Sequence, residues 1–341
     1  MTDETPYRWT EAHELGIEGQ GWTDVQRPYD RLPAKAKSVV RDVVWDLSRM
    51  PAGLNVRFET DAPEIRLRWH LEDEALGSPK MPPLGRSGFD LYAEDENGQL
   101  RWASASNGIV GAKEEQPLIG ELDGRTRRFT LYLPVMNPLL GLQIGVPETA
   151  SFAAITPRTE RYITYYGTSI AHGACVSRPG MAIPAILSRR LDEAVMNIAF
   201  SGNAIMEPEI ADLLAELDPV LYVLDALPNM DKARIEENAE PFIRRLRGAR
   251  PVTPIVLVED RTYTNGWILT ERRTRNDESR AAFRKIYEAL VGEGMPGLTY
   301  VEGETLFGTD DEASMDGSHP SDLGTMRQAE VLEPILRDVL P

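Results

Sequence analysis

The spacing of the apolar residues changes halfway along the chain, and no other feature of the sequence restricts the fold as strongly. In the first half, apolar and polar residues alternate in short runs such as GLNVRFET at 53–60, EIRLRWHL at 64–71 and RRFTLYLPV at 127–135. A period of two places one face of a strand in the core and the other in water. Turn-forming segments such as DENGQ and LDGRT separate the runs. The first half is therefore predicted to form antiparallel sheets packed as a sandwich.

In the second half, apolar runs typical of buried strands alternate with segments of helical spacing. The runs are RYITYYG at 161–167, AVMNIAFSG at 194–202, PVLYVLDALPN at 219–229, TPIVLVED at 253–260 and GLTYVEG at 297–303. Helical segments such as 231–248 and 277–294 separate them. This alternation predicts an α/β fold, in which helices cover both faces of a parallel sheet. Ligands of such sheets bind at the carboxyl ends of the strands.

The length of 341 residues suggests two domains. A segment rich in proline and threonine at 145–161 separates the two patterns. We place the boundary within it, which gives a β-sandwich domain over residues 1–155 and an α/β domain over residues 156–341.

The net charge and the N-terminal sequence limit the expected binding partners and the expected cellular location. The formal net charge is −17, and such a surface repels phosphate backbones and anionic lipid headgroups. We therefore expect neither nucleic acid nor a membrane as a partner. Cys175 is the single cysteine, so neither an intrachain disulfide nor a cysteine-based zinc cluster can form. The first 16 residues lack the basic and apolar regions of a signal peptide, and no run is long enough to span a bilayer, so we expect a cytoplasmic protein.

Five residues that could take part in catalysis follow strands of the predicted parallel sheet. Ser169 follows the first strand within YYGTSIAHG, Gly202 follows the second, and Asn229 follows the third. Asp316 and His319 lie in DGSHP, between the fifth strand and the last helix. Because the carboxyl ends of parallel strands meet at one edge of the sheet, we expect these residues to approach one another.

The residue types at this edge fit acyl transfer. A serine hydroxyl becomes a nucleophile when a base removes its proton, and histidine does this near neutral pH. We assign His319 as the base for Ser169, with Asp316 holding the imidazole in the required tautomer. The backbone N–H groups of Ser169 and Gly202, together with the Asn229 amide, are assigned to the oxyanion hole. This chemistry needs no metal and no organic cofactor.

Each assignment has a structural alternative. Ser169 is suited to capping the N-terminus of a helix, Asp316 to capping a turn, and Asn229 to capping the following helix. Gly202 could serve backbone geometry alone, because glycine adopts positive φ without strain.

Two further residues near the predicted active site are candidates for substrate binding. Arg178 lies in SRPGM at 177–181, where it could bind a polar or anionic substrate group or form a salt bridge within the protein. His172 could act as a second base or lie at the rim of the site. It follows Ser169 at a helix start, where successive side chains point in different directions, and this favours a structural role.

The order of these blocks resembles that of the SGNH (GDSL-type) serine hydrolases. Gly167-Thr168-Ser169 stands in place of the family's Gly-Asp-Ser, and Asn229 lies in Pro-Asn-Met rather than in Gly-x-Asn-Asp. The segment YGTSI followed by SRPGM resembles a subgroup with an N-terminal all-β domain marked by Gly-x-Asp-Leu-Tyr. Residues 88–92 read Gly-Phe-Asp-Leu-Tyr, so the resemblance spans most of the chain.

This resemblance implies a three-layer, flavodoxin-like α/β domain preceded by a jelly-roll-like β-sandwich. It also implies a serine esterase of short acyl esters, often acetyl groups on carbohydrates, so we expect a small-molecule or carbohydrate ester as the substrate. Two alternatives stay open. One is an acyltransferase or thioesterase with the same three residues, and the other is a non-catalytic carbohydrate-binding protein. The oligomeric state is also open, and a homo-oligomer is compatible with the sequence.

Overall fold

The computed structural model describes residues 6–341. The first five residues lie outside the described residues, and the signal-peptide expectation rests partly on them. The chain folds into an antiparallel β part followed by an α/β part, which confirms the predicted fold class.

The N-terminal part is built from two antiparallel sheets. Its strands and helices are β1 (Tyr7–Glu11), β2 (Ile17–Glu18), α1 (Asp42–Ser48), β3 (Asn55–Thr60), β4 (Ile65–Leu71), α2 (Pro83–Ser87), β5 (Asp90–Glu94), β6 (Leu100–Ala105), β7 (Lys113–Ile119), β8 (Arg127–Tyr132), β9 (Leu139–Pro147) and β10 (Phe152–Ala154). One sheet has the order β1-β9-β4-β7, and the other has the order β10-β3-β8-β5-β6 with β2 beside β3. Apolar side chains from both sheets form one core, as in a sandwich.

Two of the residues that β8 was expected to expose to water are buried. Strand β4 keeps the predicted alternation of buried and solvent-facing residues. In β8, however, Thr130 and Tyr132 are buried together with Phe129 and Leu131, and Arg128 alone of the polar face is exposed. Tyr132 packs with Tyr92 against Ala185 of the C-terminal part, so the second half of the chain covers this end of the sheet. Sequence periodicity cannot report a partner that arrives from a distant segment.

The C-terminal part is a five-stranded parallel sheet between two layers of helices. Its elements are β11 (Tyr162–Gly167), α3 (Ser169–His172), α4 (Ile183–Leu191), β12 (Ala194–Ala199), α5 (Pro208–Glu216), β13 (Leu221–Asp225), α6 (Lys232–Ala249), β14 (Ile255–Val258), α7 (Thr270–Gly292), β15 (Leu298–Val301) and α8 (Asp322–Val339). The strand order is β12-β11-β13-β14-β15. One core lies between the sheet and α5, α6 and α7, and another lies between the sheet and α4 and α8. This is the predicted three-layer, flavodoxin-like arrangement.

Helix α7 begins seven residues before the predicted helical segment at 277–294. The additional residues TERRTRN have no apolar stripe. Polar side chains at the C-terminal end of this extension hold it against neighbouring loops. Asn276 donates to Asp260 (3.1 Å), and Arg275 donates to the carbonyl of Pro228 (2.9 Å).

The predicted boundary between residues 155 and 156 falls in the connection from β10 to β11, and the division into 1–155 and 156–341 stays a prediction. Within residues 6–341, no helix combines the length and the apolar character required to cross a bilayer.

Candidate active site

Ser169 lies at the corner where β11 ends and α3 begins. The helix is capped by Thr168, whose hydroxyl accepts a hydrogen bond from Ile170 N–H (3.4 Å). The Ser169 hydroxyl is therefore not needed as the cap, and its Oγ lies 2.8 Å from Nε2 of His319. Gly167 allows the tight corner, because a Cβ there would lie 2.7 Å from the Cβ of Ala171.

The loop before α8 presents His319 together with Asp316. Nδ1 of His319 lies 2.8 Å from Oδ2 of Asp316. The other carboxylate oxygen accepts the backbone N–H groups of Ser318 (3.1 Å) and His319 (2.9 Å). Gly317 completes the turn with φ +95°, a conformation that favours glycine. Asp316 thus caps the turn and contacts the imidazole at the same time.

The environment of Asp316 stabilises its carboxylate. Burial acts to raise its pKa, but hydrogen bonds from the His319 N–H, the Lys80 ammonium, the His319 ring and the Ser318 N–H outweigh burial. The pKa of Asp316 is therefore held well below the usual range for aspartate, and the side chain is ionised at neutral pH. An ionised carboxylate is what fixes an imidazole in the tautomer with the proton on Nδ1.

The two backbone amides assigned to the oxyanion hole have no acceptor in the part of the chain that the structure describes. Within residues 6–341, neither the Ser169 N–H nor the Gly202 N–H donates a hydrogen bond. Gly202 lies in the turn after β12 with φ +70°, and a Cβ there would meet nothing within 4 Å. The turn therefore uses the conformational freedom of glycine and also opens onto free space.

Asn229 ends a single 3₁₀ turn after β13, at Leu227–Asn229. In the amide orientation that satisfies its neighbours, its oxygen accepts the N–H groups of Asn203 and Ala204, both at 3.0 Å. These bonds tie Asn229 to the Gly202 turn. Helix α6 is capped by Asp231 instead, which accepts from Arg234 N–H (2.9 Å).

His172 has no exposed surface, unlike a residue at the rim of a site. Its Nδ1 lies 3.1 Å from the hydroxyl of Ser201, the neighbour of Gly202. Burial, followed by the positive charge of Arg31, holds the pKa of His172 well below its usual value, so the ring is neutral. A side chain in this position does not reach a substrate, and the geometry supports the structural alternative.

Arg178 forms a salt bridge within the protein, which was one of its two alternatives. Its Nη1 donates to Asp90 Oδ2 (2.7 Å) and to the Tyr92 hydroxyl (2.6 Å). Asp90 is fully buried and also accepts from Gly180 N–H (2.8 Å) and from Trp102 Nε1 (3.0 Å). The Gly-Phe-Asp-Leu-Tyr and SRPGM segments therefore form one clamp between the two parts of the chain.

The structure adds two cations that the sequence did not reveal. Lys80, from the N-terminal part, forms an ion pair with Oδ2 of Asp316 across 236 residues of sequence. Arg272 of α7 donates to the backbone carbonyl of Asp316 (3.0 Å). Neither residue directly follows a strand of the parallel sheet. The strand-end rule, by which ligands bind at the carboxyl ends of the strands, therefore could not identify them.

An apolar surface lies next to the loop that carries Asp316 and His319. Trp267, Ile268 and Leu269 are all exposed, and Trp267 is 71% exposed. Their loop is held against the turn at Gly317, where the side chain of Asn265 lies against the glycine and accepts from Arg272 (2.9 Å).

Comparisons with known proteins agree with this architecture. A family model described as the GDSL-like lipase/acylhydrolase family matches residues 160–337, more than half of the chain. A model described as the N-terminus of SGNH-hydrolase-type esterases, named GxDLY, matches residues 7–152. Among curated proteins, no sequence matches the chain.

Several solved structures share the fold along most of their length. A protein from Bacteroides ovatus described as a GDSL-like lipase has 29% identity and a TM-score of 0.93, with 98% of each chain covered. A salicylyl-acyltransferase from a tetracycline biosynthetic pathway has 20% identity and a TM-score of 0.74, covering 100% of this chain and 97% of that one. A family two carbohydrate esterase from Clostridium thermocellum, in complex with cellohexaose, has 15% identity and a TM-score of 0.56, covering 84% and 91%.

The last two similarities concern the fold alone, whereas the family models match both parts of the sequence in the expected order. The chain belongs to the GDSL-like lipase/acylhydrolase family and is an ester hydrolase of the SGNH type.

Proposed function

We propose that the protein hydrolyses short-chain acyl esters through Ser169, His319 and Asp316. The observation that carries this proposal is the continuous chain of contacts from Ser169 Oγ to His319 Nε2 and from His319 Nδ1 to Asp316 Oδ2, both 2.8 Å long. This geometry places a base on the hydroxyl and a carboxylate on the base, as acyl transfer by serine requires.

The reaction would proceed through an acyl-enzyme. His319 Nε2 takes the proton of Ser169 as Oγ attacks the ester carbonyl carbon. The oxyanion that forms accepts the N–H groups of Ser169 and Gly202 and the NH₂ group of Asn229. His319 then donates its proton to the departing alcohol. Water attacks the acyl-enzyme in the second half, His319 takes a proton from that water, and the proton returns to Ser169 as the acid is released.

We propose a carbohydrate as the alcohol part of the ester. The exposed Trp267 presents an aromatic face beside the catalytic loop, and such a face stacks well on the apolar face of a sugar ring. The similarity in fold to a carbohydrate esterase crystallised with cellohexaose agrees with this assignment.

The similarity in fold to a salicylyl-acyltransferase along the whole chain keeps acyl transfer to another acceptor as a second candidate function. Water and an alcohol would compete for the same acyl-enzyme. Analysis of the products formed with and without an added alcohol separates the two functions, because only a transferase makes the new ester in preference to the free acid.

The central experiment compares the wild type with Ser169→Ala on p-nitrophenyl acetate and follows the acyl adduct by intact mass. We expect Ser169→Ala to lose roughly 10⁴- to 10⁶-fold in kcat and to form no adduct. Ser38→Ala, which alters an exposed serine of the N-terminal part, is the matched control and should behave as the wild type. A fully active Ser169→Ala would remove the proposed nucleophile. A wild type inactive on aryl and sugar acetates that still binds the sugar would favour a carbohydrate-binding protein.

A further inference from the structure

We propose that Lys80 of the N-terminal part is a positioning residue of the active site, which sets the pH range in which His319 acts as a base. The inference rests on the proposed function. Lys80 and the imidazole of His319 meet the same oxygen, Oδ2 of Asp316. The N-terminal part thus enters the electrostatics of the reacting groups directly.

The fold holds Lys80 at this place. Lys80 lies in a tight turn in which Ser78 and Met81 exchange backbone hydrogen bonds of 2.8 and 3.1 Å. The neighbouring Met81 is buried in a small cluster with Val176 of the C-terminal part. Helix α2 follows at once, and Gly85 approaches Val176 so closely that a Cβ there would lie 2.2 Å from the carbonyl oxygen. The backbone that directly follows Lys80 is therefore packed against the C-terminal part.

The positive charge of Lys80 acts on His319 in a known direction. An ammonium group on the shared carboxylate oxygen offsets part of the negative charge that stabilises an imidazolium. Lys80→Met removes this offset, so the variant should need a higher pH than the wild type to reach full activity, and its activity at high pH should be at least equal.

The other polar groups around the pair make contacts that do not involve a hydrogen bond to Lys80. Arg272 of α7 donates to the Asp316 carbonyl, and Tyr263 lies beside Ser318 on the loop after β14. Burial, together with the Asp316 carboxylate, raises the pKa of the Cys175 thiol to about 11, so this group is neutral. Asp322 at the start of α8 accepts from Ser177 N–H (3.0 Å). A difference between variants at position 80 therefore reports the lysine charge.

The test is the pH dependence of kcat/KM on p-nitrophenyl acetate for the wild type, Lys80→Met and Lys80→Arg at low salt. We expect Lys80→Met to move the midpoint of the acidic limb upward by about 0.5 to 1 pH unit. Its activity should be lower than that of the wild type on the acidic limb and at least equal on the alkaline plateau. Lys80→Arg should restore the wild-type profile. Because Lys80 is 54% exposed, about 1 M salt should shrink the shift.

Lys113→Met, which removes an exposed lysine from β7, is the matched control and should leave the profile unchanged. Coincident profiles for Lys80→Met and the wild type would overturn the proposal. A loss by the same factor at every pH would also overturn it, since that result indicates a structural role. A raised KM with an unmoved limb would assign Lys80 to substrate binding instead. An active Ser169→Ala would sink the proposed function itself, whereas an inactive Ser169→Ala with unmoved Lys80→Met profiles would sink only the role of Lys80.

Discussion

The clamp between Asp90 and Arg178 gives a stability prediction that can be worked out from the contacts. Replacing Asp90 with alanine removes a fully buried carboxylate that accepts from Arg178, from Gly180 N–H and from Trp102. Arg178 would be left half-buried without its charged partner, and the Gly180 N–H without an acceptor. Trp102 is half exposed, so water can replace its lost bond.

Removing one member of a buried ion pair typically costs about 3–5 kcal/mol. Each hydrogen bond to a charged group contributes about 1.5–3 kcal/mol, which gives a similar total for the two bonds that water cannot replace. We therefore expect Asp90→Ala to lower the free energy of unfolding by about 3–5 kcal/mol. Urea unfolding followed by circular dichroism measures this loss, and each transition is fitted separately if the two parts of the chain unfold in turn.

Arg101→Ala is the matched control, because Arg101 is 73% exposed and lies 3.7 Å from Asp95 in a surface pair. Such pairs contribute about 0–1 kcal/mol. The double variant Asp90→Ala/Arg178→Ala should be less destabilised than the sum of the two single variants, since neither partner is then left unpaired. An Asp90→Ala protein within about 1 kcal/mol of the wild type, like the control, would refute the argument that the clamp joins the two parts.

Three further predictions concern the active site. Asn229→Ala removes one proposed oxyanion donor and should lower kcat about 100- to 1000-fold with little change in KM; a loss of only a fewfold would exclude the role. Asp316→Asn should lower kcat about 10⁴-fold by disturbing the tautomer of His319. The depressed pKa of Asp316 contributes stability above the ordinary aspartate pKa of about 4, and this contribution is lost as the pH falls further. The gap in Tm between the wild type and Asp316→Asn should therefore begin to narrow below about pH 4 and go on narrowing as the pH falls toward the depressed pKa of Asp316, and a gap independent of pH would contradict the assignment. Trp267→Ala should raise KM for a sugar acetate by about 3- to 10-fold while sparing methyl acetate, with Trp267→Phe close to the wild type; equal effects on both esters would count against sugar stacking.

The sequence predicted the fold class because its signals are local. The five apolar runs of the second half became the five parallel strands, and the strand-end rule placed Ser169 and the Asp316–His319 loop at one edge of the sheet. The contact of 2.8 Å between Ser169 and His319 spans 150 residues of sequence. Local periodicity failed where a distant segment determined burial, as at Tyr132.

For the candidate substrate-binding residues, the sequence named the position and the tertiary structure decided the partner. Arg178 was predicted near the site, but whether it faces a ligand or a carboxylate depends on Asp90, which lies 88 residues earlier. His172 follows Ser169 by three residues in the sequence, but its burial is set by the packing of several elements.

By itself, the sequence determined the two-part architecture, because hydrophobic periodicity and the chirality of strand connections are local or general properties. The resemblance to the family came from the order of its short motifs. Only the tertiary structure decided that the N-terminal part clamps onto SRPGM and places the ammonium of Lys80 on the carboxylate that faces His319. Such contacts between remote segments depend on the complementarity of two folded surfaces. The local pattern of residues along the chain does not predict that complementarity.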